Sequence, residues 1–250
     1  MKDGITYSLG GIKAPKKIKF ESTYKQAGNS WIADTRKEYL YTNSGKLDVI
    51  NHYRKAADHT SFLEMKEEIT YENNRISQIR KSKNNHVSLY TYKGNGKLNE
   101  IRYTDNEGKT TGKVNHLTLS NQNNYSIGAV FESTKFYYKQ NYSYELLGGN
   151  VFQYTYATSH GDSESTNYEY DFGINPFIHL QLPDLGFANL SKNNVTKRYA
   201  TYIIDIPQFD AYSYSYVYDS EGYPIEIYTK YRVPGTATEA FTTKTVLNYY

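Results

Sequence analysis

The sequence predicts an all-β protein: a long antiparallel meander of about 14 strands, curled toward an open barrel. Three observations predict it. Tyr, Val, Ile and Thr alternate with polar residues at period 2, the rhythm of a pleated strand with two unlike faces. Short Asn/Asp/Gly clusters interrupt the runs, and these residues tolerate the positive φ of tight hairpin turns. The run–turn–run unit then recurs along most of the 250 residues.

Residues 1–16 read as an N-terminal segment or linker, and 17–250 as a single β-meander domain. Lys13, Lys16, Lys17 and Lys19 form a local basic excess. Lys17 and Lys19 alternate with Ile18 and Phe20, so they read as the wet side of a first strand. The unit is clear at 38–50 around Asn43-Ser44-Gly45, at 69–79 around Asn73-Asn74, and at 89–101 around Gly94-Asn95-Gly96. Further turn signals sit at Asp105-Asn106-Glu107-Gly108, Gly148-Gly149-Asn150 and Gly161-Asp162. A last copy runs 216–227 around Asp219-Ser220-Glu221-Gly222. Residues 17–54, 63–158 and 195–250 are therefore expected to be mainly strand, with helix below about 12% of the chain.

Two stretches break the rhythm. Residues 55–61 are too short and polar for a strand pair and read as a loop or a turn of helix. The longer break runs from Asn175-Pro176-Phe177 to Lys192, with a short helical or loop insertion near 183–192. Its Leu185, Phe187 and Leu190 read as a plug packed against the sheet, with Pro183 near its start.

Composition narrows the function. There are 29 basic and 26 acidic residues, a formal charge of +3, too small for a nucleic-acid-binding surface. No apolar stretch is long enough for a transmembrane helix. Met1-Lys2-Asp3-Gly4 leads into polar sequence with no apolar h-region, so no secretory signal is read there. Zero cysteines remove disulfides, cysteine-ligated metals and thiol chemistry together.

Tyr168–Phe177, Leu190–Lys197 and Tyr218–Pro224, in that order and spacing, carry a resemblance. The hairpins are similar to the YD repeats of Rhs-type and teneurin-type proteins. The three segments together resemble a bacterial cell-envelope lipoprotein family of unknown function with a porin-like fold. The resemblance implies secretion, a curled meander, and a lipid anchor on a cysteine upstream of these residues. It carries no catalytic residues to transfer. The chain lacks regular apolar bands flanked by aromatic girdles, so it is not expected to be a membrane barrel.

Candidate chemistry is sparse. His52, His59, His86, His116, His160 and His179 are isolated, and none forms a metal-binding pair. Asp58-His59-Thr60-Ser61 and His160-Gly161-Asp162-Ser163 place acid, imidazole and hydroxyl side by side, but a triad needs them bonded in space. The Asp105 and Asp219 loops lack the ligand spacing of calcium loops and read as hairpin tips. No cofactor and no metal are expected.

One feature stands out. Tyr212, Tyr214, Tyr216 and Tyr218 share one face of a strand, with Ser213, Ser215 and Val217 on the other. Shorter rows pair Tyr39 with Tyr41, Tyr90 with Tyr92, Tyr142 with Tyr144, Tyr154 with Tyr156 and Tyr168 with Tyr170. Side by side they would make an aromatic ladder. Such a ladder either fills the core or offers a platform that stacks sugar rings or an extended polymer. The functional expectation is a non-enzymatic, monomeric, envelope-associated or secreted binding or scaffold protein. Its partner would be a glycan or an envelope component, with Tyr212, Tyr214, Tyr216 and Tyr218 as the speculative ligand residues. The alternative is a glycan-acting hydrolase with unlocated carboxylates.

Overall fold

The computed structural model describes residues 15–56, 60–121, 124–133, 139–180, 182, 191–203, 208–232 and 239–250. These residues form sixteen strands. The first eight are β1 (Ile18–Ala27), β2 (Ser30–Tyr41), β3 (Leu47–Lys55), β4 (Ser61–Glu72), β5 (Arg75–Lys81), β6 (His86–Tyr92), β7 (Leu98–Thr104) and β8 (Thr110–Asn121). The rest are β9 (Asn124–Ser133), β10 (Lys139–Leu147), β11 (Asn150–Thr158), β12 (Ser163–Ile174), β13 (Asn193–Ile203), β14 (Gln208–Tyr218), β15 (Pro224–Arg232) and β16 (Glu239–Tyr249). Each strand pairs antiparallel with its neighbours in sequence, and β1 pairs with β16, so the barrel is closed. The expected all-β meander is correct; the barrel has sixteen strands rather than about 14, and it is closed rather than open.

Both differences have physical causes. Turns without a Gly-rich tip, such as the one between β5 and β6 with positive φ at Asn85, are weak punctuation in a sequence. Closure pairs Ile18 with Tyr249 and Thr23 with Thr245, contacts across the whole chain that no local pattern announces. Its reward is the removal of both sheet edges.

One five-residue turn recurs. Starting at Thr42, Lys93, Asp105, Thr158 and Asp219, the residue's N–H donates to the carbonyl four residues on, and its own carbonyl accepts from the Gly at the fourth position. Gly45, Gly96, Gly108, Gly161 and Gly222 all have positive φ there, which a side chain would strain. Asn73 and Asn74, both at positive φ, instead make the two-residue turn that suits strand twist.

A second regularity ties the strands together at one end. Tyr41, Tyr71 and Tyr92 donate their hydroxyls to the carbonyls of Ile18 (3.0 Å), Leu47 (2.7 Å) and Ile76 (2.8 Å). Tyr216 and Tyr249 do the same to Val195 (2.5 Å) and Pro224 (2.7 Å), and Tyr170 to Val151. In each case a Tyr near the end of an even-numbered strand caps a carbonyl at the start of the strand before it. Much of the tyrosine content is thus a structural stitch that satisfies backbone acceptors where the ladder stops.

Register separates the two faces. Tyr39, Ile50, Ile69, Ile79, Ile101, Val114, Tyr144, Thr166, Tyr168 and Leu247 are buried and point inward. The outer face carries charge: Lys66–Glu68 (2.7 Å), Arg102–Glu100 (2.9 Å), Lys113–Glu132 (3.2 Å), Lys197–Glu169 (2.9 Å) and Lys244–Glu226 (2.6 Å) pair there. The inner face is mainly apolar and aromatic with a few paired charges, and the outer face is mainly polar with scattered exposed apolar residues such as Leu40, Tyr199 and Val217.

A barrel of this many strands is too wide for wall side chains alone to fill. A 3-10 helix, Pro176–Leu180, between β12 and β13 supplies the rest at one end. Leu180 is buried, and Phe177 and Leu182 pack with it against Ile18, Tyr39, Leu47, Ile50, Ile69, Ile76, Ile79 and Leu247. The cluster runs along the wall from β16 and β1 to β5, and the described helix joins it through Leu180. The sequence placed a plug in this break; the described helix lies upstream of 183–192, and Leu185, Phe187 and Leu190 fall outside the described residues.

Candidate ligand-binding lumen

The insertion is held at its neck by a buried polar clamp. Asn175, only 5% exposed, donates from Nδ2 to the Ser191 carbonyl at 2.7 Å and accepts the Phe177 N–H at 3.1 Å, capping the 3-10 helix. Ser191 Oγ accepts the Val151 N–H at 3.1 Å and pairs with the Tyr170 hydroxyl at 2.9 Å. Asn194 Nδ2 donates to the Ile174 carbonyl (3.2 Å) and to the Tyr218 hydroxyl (3.3 Å). Tyr218 in turn donates to Asp171, and its ring lies where any Cβ on Gly173 would clash, 2.6 Å away. The Ile174 N–H donates to the Gly222 carbonyl at 3.0 Å. The segments 168–177, 191–197 and 218–224 therefore meet at one place. They build the socket of the plug.

Lys16 joins this end from outside. Its ammonium pairs with Asp219 at 2.7 Å and Glu221 at 3.2 Å, which ties the end of the N-terminal segment to the β14–β15 turn.

Above the plug lies a cavity of 220 Å³. Phe177 and Asn194 line it together with Tyr214 and Tyr216 on β14, Thr245 on β16 and Glu21 on β1, strands of one arc of the wall. Register extends the lining on β16 and β1. Thr35, Thr23 and Thr245 are cross-strand neighbours on β2, β1 and β16, so three hydroxyls line up on the lumenal face. Glu21 sits one step closer to the plug; it accepts from the Tyr39 hydroxyl at 2.6 Å and from Lys37 Nζ at 3.1 Å. The wall offers a carboxylate, hydroxyls and phenol rings to one space.

The predicted ligand residues separate in role. Tyr212, Tyr214, Tyr216 and Tyr218 are all half-buried on the lumenal side. Tyr212 packs on Tyr231 (ring centroids 5.0 Å apart) and under the Arg198 guanidinium at 5.4 Å. Tyr216 stacks on Tyr218 at 5.7 Å and spends its hydroxyl on Val195. Tyr218 is bound into the socket. Tyr214 lines the cavity, and among the described residues its hydroxyl has no hydrogen-bond partner. Burial raises the pKa of Tyr214, and of Tyr216 far above the usual phenol value, so both present neutral rings.

Two ionic groups line the rest of the lumen. His52 Nε2 lies 3.0 Å from Glu67 Oε1, an ion-pair distance without hydrogen-bond alignment, and Lys81 lies 4.0 Å from the same oxygen. Burial would raise the Glu67 carboxyl, but His52 and the Lys81 charge outweigh it and hold its pKa below the usual value. Across the barrel Arg198 reaches Glu164 at 3.3 Å and the Tyr202 hydroxyl at 3.2 Å. Sequence reasoning missed both groups, because each assembles from strands whose pairing partner is only visible in three dimensions. Of the two acid–imidazole–hydroxyl loops, Asp58 and His59 lie outside the described residues. His160 sits in the Thr158 turn, where its N–H donates to Thr158 Oγ1.

No protein-family model matches the chain, and neither does any curated protein. Solved structures do. A porin-like protein from Bacteroides uniformis ATCC 8492 is 12% identical, with a TM-score of 0.65 over 94% of this chain and 99% of that one. A porin-like protein from Bacteroides vulgatus ATCC 8482 is 10% identical, with a TM-score of 0.47 over the same shares. The first of these likenesses shows a porin-like fold. Neither extends to the lipoprotein family or to the YD-type repeats suggested by the sequence.

Proposed function

We propose that this barrel is a non-enzymatic, envelope-associated binding protein that holds a glycan or similarly polyhydroxylated ligand in its lumen. The observation that carries the reading is one cavity lined together by Tyr214, Tyr216, Glu21 and Thr245. There Tyr214 offers a neutral ring and a hydroxyl with no hydrogen-bond partner among the described residues, and the Thr245 hydroxyl is continued along the wall by Thr23 and Thr35. A sugar ring has an apolar face for stacking and an equatorial fringe of hydroxyls, and this pairing of surfaces matches it. The charged outer face supports a barrel that stands in water, since a charge against lipid at mid-bilayer would cost about 2–4 kcal/mol.

The hydrolase alternative finds less support. A glycosidase needs one carboxylic acid with a raised pKa. Among the described carboxyls with a displaced pKa, Glu64, Glu67, Glu68, Asp219 and Glu226, every one is displaced downward. The test is a glycan-array screen of the folded chain beside its Tyr214→Ala variant. Retention of selected glycans by the wild type and their loss in the variant is the expected result. A screen with no hits, or hits indifferent to Tyr214, overturns the reading.

A further inference from the structure

The outer wall carries a groove of its own, set between two bulges. On β2, Thr35 pairs with Thr23 but Ala33 pairs with Tyr24, which leaves Asp34 out of the ladder. On β4, Met65 pairs with His52 but Leu63 pairs with Tyr53, which leaves Glu64 out in the same way. Bulges of this kind interrupt pairing and re-aim side chains. Between them, toward the end that carries the β1–β2 and β3–β4 turns, lies a cavity of 350 Å³. Ser22, Tyr24, Arg36, Tyr53, Lys55 and Ser61 are among its lining residues. Lys37 meets Glu21 in the lumen, so alternation along β2 turns Arg36 to the outside, where Ser22 and Tyr53 flank it.

Arg36 is held by rings rather than by an acid. Its guanidinium carbon lies 3.9 Å from the Phe20 ring centroid and 5.9 Å from that of Tyr53. A guanidinium laid against a ring is pre-set in direction and keeps its planar fork of N–H donors. The acids nearby are engaged elsewhere. Asp34 pairs with Lys25 at 3.1 Å, and Glu64 pairs with Arg54 at 3.2 Å and Lys83 at 2.7 Å. Glu38, two residues along the same face, accepts from Asn51 and from the Tyr53 hydroxyl, each at 3.1 Å. Arg36 and Lys55 are both exposed, and neither has a hydrogen-bond or ion-pair partner among the described residues. The groove therefore holds two uncompensated cations.

We propose that this groove is a second binding site, which takes an oxyanion carried on a sugar: the carboxylate of a uronic acid or the sulfate of a sulfated sugar, gripped by Arg36 with Lys55 beside it. The Arg36 fork matches two oxygens of either group, and such charge-assisted bonds are about twice as strong as neutral ones. Ser22, Ser61 and Tyr24 bring hydroxyls to the same space. Those hydroxyls suit the hydroxyl fringe of a sugar and not the acyl chains of a lipid. The volume falls at the lower end of the ~300–1,000 Å³ range of small-ligand sites, a size for a short saccharide bearing its acid. The groove lies outside the wall, so this site stands independently of the lumenal one.

The experiment is calorimetric titration of the wild-type chain at low salt with glucuronate, glucose 6-sulfate, inorganic sulfate and neutral glucose. Both acid sugars should bind, more weakly as salt is raised, and glucose should bind about tenfold more weakly than either. Arg36→Gln should weaken the acid sugars about tenfold and Lys55→Gln several-fold, with the barrel spectrum in circular dichroism retained by both. Arg36→Lys keeps the charge without the fork and should not restore binding. Inorganic sulfate held as tightly as glucose 6-sulfate would overturn the assignment to a sugar. Glucose held as tightly as the acids, full affinity in Arg36→Gln or Arg36→Lys, or no binding of either acid sugar would overturn the site itself.

Discussion

Asn175 Nδ2 donates to the Ser191 carbonyl at 2.7 Å, joining two buried residues that stand sixteen positions apart at the two ends of the plug. The same side chain caps the 3-10 helix through Phe177. Asn175→Ala would leave a buried carbonyl and an amide without partners, a loss of about 1–3 kcal/mol. The expected outcome is a lower denaturation midpoint with an unchanged barrel spectrum in far-ultraviolet circular dichroism. An unchanged midpoint would show that the clamp does not hold the plug.

Packing of the plug can be tested apart from its neck. Leu180 is 5% exposed and lies in the cluster that bridges the helix to β1–β5 and β16. Leu180→Ala should destabilise by about 2–5 kcal/mol, the range for a buried Leu that leaves a cavity. A chemical-denaturation curve shifted by less than 1 kcal/mol, against that ~2–5 kcal/mol range, would mean the helix rests on the core without filling it.

Tyr216 and Tyr214 are adjacent members of one lumenal row, and their hydroxyls predict opposite results. Tyr216→Phe removes the bond to the Val195 carbonyl and should lower stability by about 1 kcal/mol. Tyr214→Phe removes a hydroxyl with no partner among the described residues, so stability should hold while glycan affinity falls. Equal loss of stability in both variants would show that Tyr214 is as structural as its neighbour.

The strand rhythm, the Asn/Gly turns and the tyrosine alternation were legible because each is local: period 2 sets the face, and positive φ selects the turn residue. Tyr41, Tyr71 and Tyr92 announce themselves just before their turns for the same reason. The lumen was legible only in part. The alternation put Tyr212, Tyr214, Tyr216 and Tyr218 on one face, yet what distinguishes Tyr214 from Tyr218 is Asp171, 47 residues away. Glu21 meeting Tyr39, and Thr23 meeting Thr245, likewise depend on the closure register between β1, β2 and β16. The motif segments 168–177, 190–197 and 218–224 were visible as an ordered set, but their common purpose, the plug socket, needed their convergence in space.

Burial of the tyrosine rings predicts the alkaline behaviour. Burial pushes Tyr71 and Tyr170 up to about 12, and Tyr41, Tyr154, Tyr216 and Tyr249 higher still. The unfolded value is ~10. A phenol whose pKa is raised by folding contributes stability that is fully present below that unfolded value and is lost as pH rises toward the folded one. Stability should therefore be flat up to about pH 9 and fall steeply above pH 10. Phenolate absorbance of the buried rings should appear together with unfolding. Gradual ionisation of all 29 tyrosines with the fold intact would contradict the burial assigned to the row.

The charged pairs of the outer face carry a prediction about where the barrel stands. Lys66, Glu68, Glu100, Arg102, Glu169, Lys197, Glu226 and Lys244 all project from the outside of strands. A lipid-facing wall would present an apolar band in their place, and each charge left at mid-bilayer would cost about 2–4 kcal/mol. Water removes that penalty, and pairing at 2.6–2.9 Å then contributes only the small increment typical of exposed ion pairs. The chain should therefore stay dispersed in detergent-free buffer and leave liposomes for the aqueous fraction on flotation. It should also add no conductance to a planar bilayer, because the charged pairs of the outer face resist insertion into lipid. Steady channel activity of the wild type would place the outer face against lipid, contrary to this argument.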